Sequence, residues 1–264
     1  MKKPITLNPV HPNQGIQAEY KRKLDQLIDE MHHSIVYWLT AAYKANTPEM
    51  ATDASPAKEL QKILKKLIKR WTKKIYEIAQ KIAGHFVTSV SARSTKALEA
   101  SLKKSGMSVE FKMTREMNDV MQATIGEQVG LIRSIAQQHL SEVEGLVMRS
   151  VAAGRDLKYL SDELQKRYGV TKRRAALIAR DQNNKATANI VRVRQKSVGV
   201  THAIWVHSHG GKKPRASHVK AGREKLVYEI DKGAYLEGNG GKFEWVWPGS
   251  SINCRCVSKT ILSV

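Results

Sequence analysis

Apolar residues recur at Tyr20, Leu24, Leu27, Ile28, Met31, Ile35, Trp38, Leu39 and Ala42. These steps of three and four lay them on one face of a helix. Thr47-Pro48 marks the end of that helix, and residues 46–55 read as a loop. Ser55-Pro56 then gives a capping residue followed by proline at the first helical position. The second helix carries Leu60, Ile63, Leu64, Leu67, Trp71, Ile75, Ile78, Ile82 and Phe86 on one face, runs past Gly84 to Leu98 and Leu102, and is expected to stop at Gly106. Residues 107–113 alternate weakly, as a short strand or a linker would. Thr114 opens a third long helix with Met117, Val120, Met121, Ile125, Ile132, Ile135, Leu140, Val143, Leu146 and Val147, interrupted at Gly154. A short helix over Ser161–Tyr168 should end at Gly169. Thr171 should then cap a further helix with Ala175, Leu177, Ile178, Ala188, Ile190 and Val191 inward.

From Val200 the pattern changes. Glycines and aromatics become frequent, and apolar runs shorten to strand length at His202–His207, Lys225–Ile230, Phe243–Trp247 and Cys256–Leu262. The expected class is α+β: a mainly helical N-terminal region with long helices, then a small mixed α/β domain with short strands. Residues 1–16 hold three prolines and no periodicity and read as an extended arm. The expected divisions are 1–16, 17–155 for the long helices and 156–264 for the mixed domain. Helices of about 45 residues would reach roughly 70 Å at ~1.5 Å per residue, which suits 17–155 to docking on a larger assembly. A bundle folded back at the two loops is the plainer alternative.

Charge narrows the partners. Lys and Arg number 45 against 24 Asp and Glu, a net charge of +21 that favours polyanions. Lys62, Lys65, Lys66, Lys69, Arg70 and Lys73 share the polar face of the second helix with only Glu59 and Glu77 nearby. Lys172, Arg173, Arg174, Arg192 and Arg194 occupy the helix opened by Thr171, where Asp181 is the lone acid. These eleven residues are the candidate contacts to double-stranded DNA; the plain reading is a solvated basic face. No helix-turn-helix spacing is evident, so binding should ignore base sequence. No run approaches the roughly 18 apolar residues of a membrane span, and MKKPITLNPVHPNQG lacks the apolar core of a signal peptide. Two cysteines make no disulfide framework and fit a reducing cytoplasm.

Candidate chemistry gathers near the C-terminal end. Cys254 and Cys256 with His218 are ligand types for zinc, and His209 or His207 would make a fourth. In extended chain, residues two apart point to one side, which suits the C-x-C pair. The alternative is that both cysteines pack as small hydrophobes beside the tryptophans. A nuclease centred on His218, with Arg215 and Arg223 on phosphate, is a further reading. Its acids, however (Glu224, Glu229, Asp231, Glu237 and Glu244), are scattered. There is no P-loop, no dinucleotide fingerprint and no H-E-x-x-H, so no catalytic residue is assigned.

The order Arg180, Asn184, Ala188-Asn189, Gly199-Val200, Trp205, Arg215-x-x-His218, Gly222, Pro248-Gly249 and Asn253-Cys254-Arg255-Cys256 resembles the phage Mu protein F-like family of minor head proteins. That family also includes head morphogenesis proteins similar to the gene 7 product of phage SPP1. The resemblance covers roughly residues 150–260, and N-C-R-C after P-G is its most specific part. One departure is Asp181-Gln182, where the family usually has Thr-Glu. The resemblance implies a non-enzymatic virion protein of a tailed bacteriophage, at the portal vertex or capsid interior and in the host cytoplasm during assembly. It implies a role in head assembly and in DNA packaging or delivery, with the portal protein, major capsid or scaffold proteins and double-stranded DNA as partners. No membrane is implied, and a structural zinc is the one candidate cofactor.

Overall fold

A computed structural model of the protein describes residues 4–45, 56–153, 156–211, 213–238 and 241–262. The fold is α+β. In chain order it runs β1 (Ile5–Thr6), α1 (Gln14–Ala45), α2 (Pro56–Lys104), α3 (Arg115–Ala152), α4 (Leu157–Ser197), β2 (His202–Val206), α5 (Ala216–Arg223), β3 (Val227–Glu229), β4 (Ala234–Glu237), β5 (Phe243–Val246) and β6 (Val257–Leu262). The expected loop at 46–55, its Ser55 cap and the break at Gly154 lie outside the described residues.

Packing groups the chain into two units. One comprises Ala18–Gly84 and Gly126–Ala179, and its described elements are all helices; the other comprises Met1–Gln17, His85–Ile125 and Arg180–Val264 and contains the sheet. This differs from the division expected at residues 16 and 155. The physical reason is that the arm and the last turns of α2 and α4 bury their apolar faces with the sheet. Leu7, Leu98, Leu102 and Val191 belong to the same core as Trp205 and Leu262.

The helical unit follows the sequence periodicity closely. Leu24, Ile28, Met31 and Ile35 of α1, Leu60, Leu64, Trp71 and Ile75 of α2, Ile132, Leu140 and Val143 of α3, and Leu160, Leu164 and Ala175 of α4 are all buried. Polar pins cross this core. Tyr20 Oη donates to Gln128 Oε1 at 3.0 Å, and Trp71 Nε1 donates to Ser34 Oγ at 3.2 Å.

Four expectations fail here. Helix α4 is continuous through Gly169, because a single helical glycine costs only about 1 kcal/mol and the buried line Leu160, Leu164, Thr171, Ala175, Ala179 keeps its phase across it. Thr171 is therefore not a cap; its hydroxyl donates to Arg167 O one turn back at 2.9 Å. Leu177 falls off that line and is exposed, as is Trp38 on α1.

A buried histidine gives this unit an acid sensitivity. Thr171 Oγ1 spends its proton on Arg167 O, so the 2.9 Å contact with His139 Nδ1 must be donated by the imidazole. His139 Nε2 is then a bare acceptor, buried without a hydrogen-bond partner. Burial, and secondarily the neighbouring His32, depress the His139 pKa from its ordinary 6.5 to about 4. His32, stacked on Tyr168, is shifted the same way by burial. The unfolded chain therefore takes up protons near pH 6.5 that the folded protein refuses until about pH 4. The unfolded state binds more protons across that window, so stability falls as pH falls through it. Denaturant titrations at pH 7.5 and ~4.5 should differ by roughly 2–3 kcal/mol from His139. The His139→Gln protein should lose most of that difference; an unchanged pH profile would contradict the buried neutral imidazole.

In the sheet unit the strands run β1-β6-β2-β3, each neighbour antiparallel, and β4 pairs with β5 as a separate hairpin. The arm is free of helix over residues 4–13, α1 starting at Gln14 rather than after residue 16, and it supplies the edge strand, with Leu7 N–H donating to Thr260 O at 3.0 Å. Gly106 ends α2 where expected, and Met107 N–H returns to Leu102 O. Thr114 caps α3 through Met117 N–H at 3.1 Å. Residues 107–113 are not a strand, but Val109 and Phe111 pack on the core. The expected loop after β2 instead contains α5, so His218 stands on a helix.

The Arg194 side chain shows how the end of α4 is used. It is 4% exposed. Its guanidinium lies 5.2 Å from the Phe111 ring and donates to Lys112 O at 2.6 Å and Thr95 Oγ1 at 3.3 Å. Residues 181–184 are buried as well, although all four are polar. Here α4 buries a polar face, which an apolar count cannot locate.

Candidate functional site

Two segments, brought together from 36 residues apart, form the site. His218 projects from α5. Cys254 and Cys256 lie on the extended chain leading into β6, so their sulfurs fall on one side. His218 Nδ1 is 3.4 Å from Cys254 Sγ and 3.9 Å from Cys256 Sγ. All three residues are buried. Trp205 of β2 meets the His218 ring edge-on, with centroids 4.9 Å apart.

Each flank of the cluster is held by residues that the sequence singled out. Arg215 donates through both terminal nitrogens to Ile252 O at 3.2 Å, joining the start of α5 to the cysteine segment. Arg255 donates to Gly210 O at 2.5 Å. Gly222 faces β2 so closely that an added Cβ would stand 2.4 Å from His207 Cβ, which only glycine avoids. Gly249, at φ 85°, lies against Ala188 and the Cys256 carbonyl in the same manner.

Helix α4 holds the segment from beneath. Asn184 Nδ2 donates to Cys254 O at 3.1 Å, and Asp181 Oδ1 accepts from Asn253 N–H. Asn253 adopts a left-handed φ of 58°, a conformation asparagine tolerates better than most residues. Asp181 also pairs with Lys185 at 3.1 Å. The departure at position 181 thus carries a definite job, holding the turn that presents the cysteines.

The Cys256 thiol donates to Cys254 and, with His218 close by, lowers the Cys254 pKa against the opposing effect of burial. The same bond to Cys254, together with burial, pushes Cys256 up. His207 is held below its usual range by burial and by His209. A cavity of about 700 Å³ opens at this cluster, with His207, Lys213, Arg215, Glu244 and Arg255 among its walls. In the sequence Glu244 is only one of several scattered acids. It reaches the cavity because β5 pairs with β4 in a register that sets Glu244 and Val246 on one face and Phe243 and Trp245 on the other.

Other expectations shift. His218 is buried against thiols, with no carboxylate among its hydrogen-bond partners, so the geometry gives a phosphate-directed general base no support. His207 and His209 touch one another, their Nδ1 atoms 3.4 Å apart, and stand outside the His218–Cys254–Cys256 group.

Among the candidate DNA contacts, Lys62, Lys65, Lys66, Lys69, Arg70 and Lys73 are placed along α2, and Lys62 pairs with Glu59 at 2.7 Å. All six are exposed. Arg173 is exposed. Lys172 is committed to Asp29 at 2.7 Å, and Arg174 to Ser134 and Gln138. Arg192 lies 4.3 Å over the Trp247 ring, half-buried. Arg194 is inside the protein, bound to Lys112 O and Thr95 Oγ1, and is withdrawn as a DNA contact.

Residues 141–259 match the family described as Phage Mu protein F like protein. That segment is similar to the Phage Mu protein F-like family. The match takes in the last part of α3, α4, the cluster and the first half of β6. The family is one of phage head morphogenesis proteins. The chain is also 26% identical, over 96% of its length, to an uncharacterized protein of Haemophilus influenzae (strain Rd), of which it covers 55%. The chain therefore spans about half the length of that relative. No solved structure matches it. No described helix is long and apolar enough to cross a membrane.

Proposed function

We propose that this chain is a minor head protein of a tailed bacteriophage, positioned at the portal vertex or capsid interior, that supports head assembly and contacts packaged DNA. The observation that carries the reading is the family match over residues 141–259. Its motif residues Trp205, Arg215, His218, Gly222, Asn253 and Cys254 converge on one tightly stapled unit.

The DNA contact is supported by α2. Lys65, Lys66, Lys69, Arg70 and Lys73 form an exposed basic stripe, and the exposed ring of Tyr76 follows one turn later beneath the Arg133 guanidinium. Such a stripe neutralises phosphates and reads no base edges. The long helices supply the docking element for the portal or capsid.

Coexpression of this chain with the portal protein of the same phage tests the assembly role. The chain should co-sediment with the portal ring and survive gel filtration at moderate salt. A chain that elutes alone while the ring forms normally would reject portal docking.

A further inference from the structure

We propose that His218, Cys254 and Cys256 form a binding site for a thiophilic divalent cation, Zn²⁺, with three protein ligands and a fourth position open to the adjoining cavity. A tetrahedral zinc has Zn–S near 2.3 Å and Zn–N near 2.0 Å, which sets neighbouring nitrogen and sulfur ligands about 3.6 Å apart. The distances from His218 Nδ1 to the two sulfurs, 3.4 and 3.9 Å, bracket that value. All three ligand atoms lie within 4.8 Å of one another, in residues that are buried.

Packing alone accounts poorly for this arrangement. Cysteines that serve as small hydrophobes do not need an imidazole nitrogen turned toward both sulfurs. Nor do they need Asp181 and Asn184 to fix the cysteine segment on α4, or Arg215 to join that segment to the start of α5. The indole N–H of Trp205 is buried with no conventional partner and lies beside Cys256, where a metal-bound thiolate would serve as its acceptor. The soft donor set favours zinc over magnesium or calcium. Binding displaces the thiol protons to solvent and leaves two thiolates and a neutral imidazole on the ion. Among the described residues no other histidine, cysteine or acid joins the group. All three ligands line the cavity, so the ion would sit in its wall with water in the fourth position.

The test uses full-length protein without a histidine tag, purified without chelators and kept reduced. Elemental analysis should find about one zinc per chain, and Cys254→Ser should reduce this at least tenfold. Replacing zinc with cobalt in the wild-type protein should give sulfur-to-cobalt charge-transfer absorption, a readout that needs no variant to fold. Added azide should shift the cobalt bands by entering the open position, and His207→Ala should keep its metal. Wild-type protein that holds no zinc and shows no cobalt–thiolate absorption would overturn the site. Bands insensitive to azide, or zinc lost in His207→Ala, would overturn the open position. None of these readouts depends on head assembly, so the site stands or falls separately from the proposed function.

Discussion

Replacing Lys65, Lys69 and Lys73 together by glutamate is expected to weaken binding to duplex DNA by two to three orders of magnitude at about 0.1 M salt. Removing one phosphate contact takes roughly 0.9 from the slope of log K against log salt, and near 0.1 M that is worth nearly a factor of ten. The three residues lie four apart on α2 and are all exposed. Their replacement should leave the fold intact, because the buried line of Leu64, Leu67, Trp71 and Ile75 is untouched. Fluorescence anisotropy against duplexes of unrelated sequence, at several salt concentrations, checks both parts. The wild type should bind all of them alike with a steep salt slope, and the triple variant should show a slope shallower by about three. Equal affinities for the two proteins would move the DNA contact away from α2.

Arg194→Ala should behave in the opposite way. It removes a guanidinium that is almost wholly buried, deserts Lys112 O and Thr95 Oγ1, and leaves a void against Phe111. Cavity formation together with an unsatisfied buried carbonyl costs about 3–5 kcal/mol. Urea denaturation should show that loss, while the salt slope of DNA binding in the surviving folded protein stays as in the wild type. Arg173→Ala, at an exposed position on the same helix, is the contrast: little change in stability is expected. A stable Arg194→Ala protein with a reduced salt slope would restore Arg194 to the DNA surface.

These two arginines show where sequence reading stops. Helix α2 was legible because its buried residues are apolar and its exposed residues are cationic, so one period describes both faces. The second half of α4 buries Asp181, Gln182, Asn183, Asn184, Thr187, Arg194 and Gln195. Ile190 and Val191 are buried there as their period predicts, but an apolar period cannot mark the buried polar residues, and counting charges cannot distinguish Arg173 from Arg194. Helix α5 escaped for a related reason. At eight residues, and with Arg215 making no side-chain cap, it carries neither periodicity nor a start signal strong enough to separate it from a loop. Gly169 misled in the other direction, since tertiary packing outweighs a local preference of about 1 kcal/mol.

The site was legible in its ingredients and not in its assembly. Residue type alone marked His218, Cys254 and Cys256. Sequence could not reveal that Asp181 and Asn184 anchor the cysteine segment, because those hydrogen bonds cross about 70 residues. Nor could it reveal that Glu244 enters the cavity, which depends on the register of the β4–β5 hairpin. His207 and His209, equally good ligands on paper, face one another instead.

The central claim is that this chain is a component of a phage head. Quantitative mass spectrometry of DNA-filled heads, purified by density gradient from the phage that encodes the chain, tests it most directly. The chain should be present at a fixed low ratio to the portal protein, and it should persist in tailless heads. Its absence from heads, with the intact chain recovered only from the soluble lysate, would contradict the account.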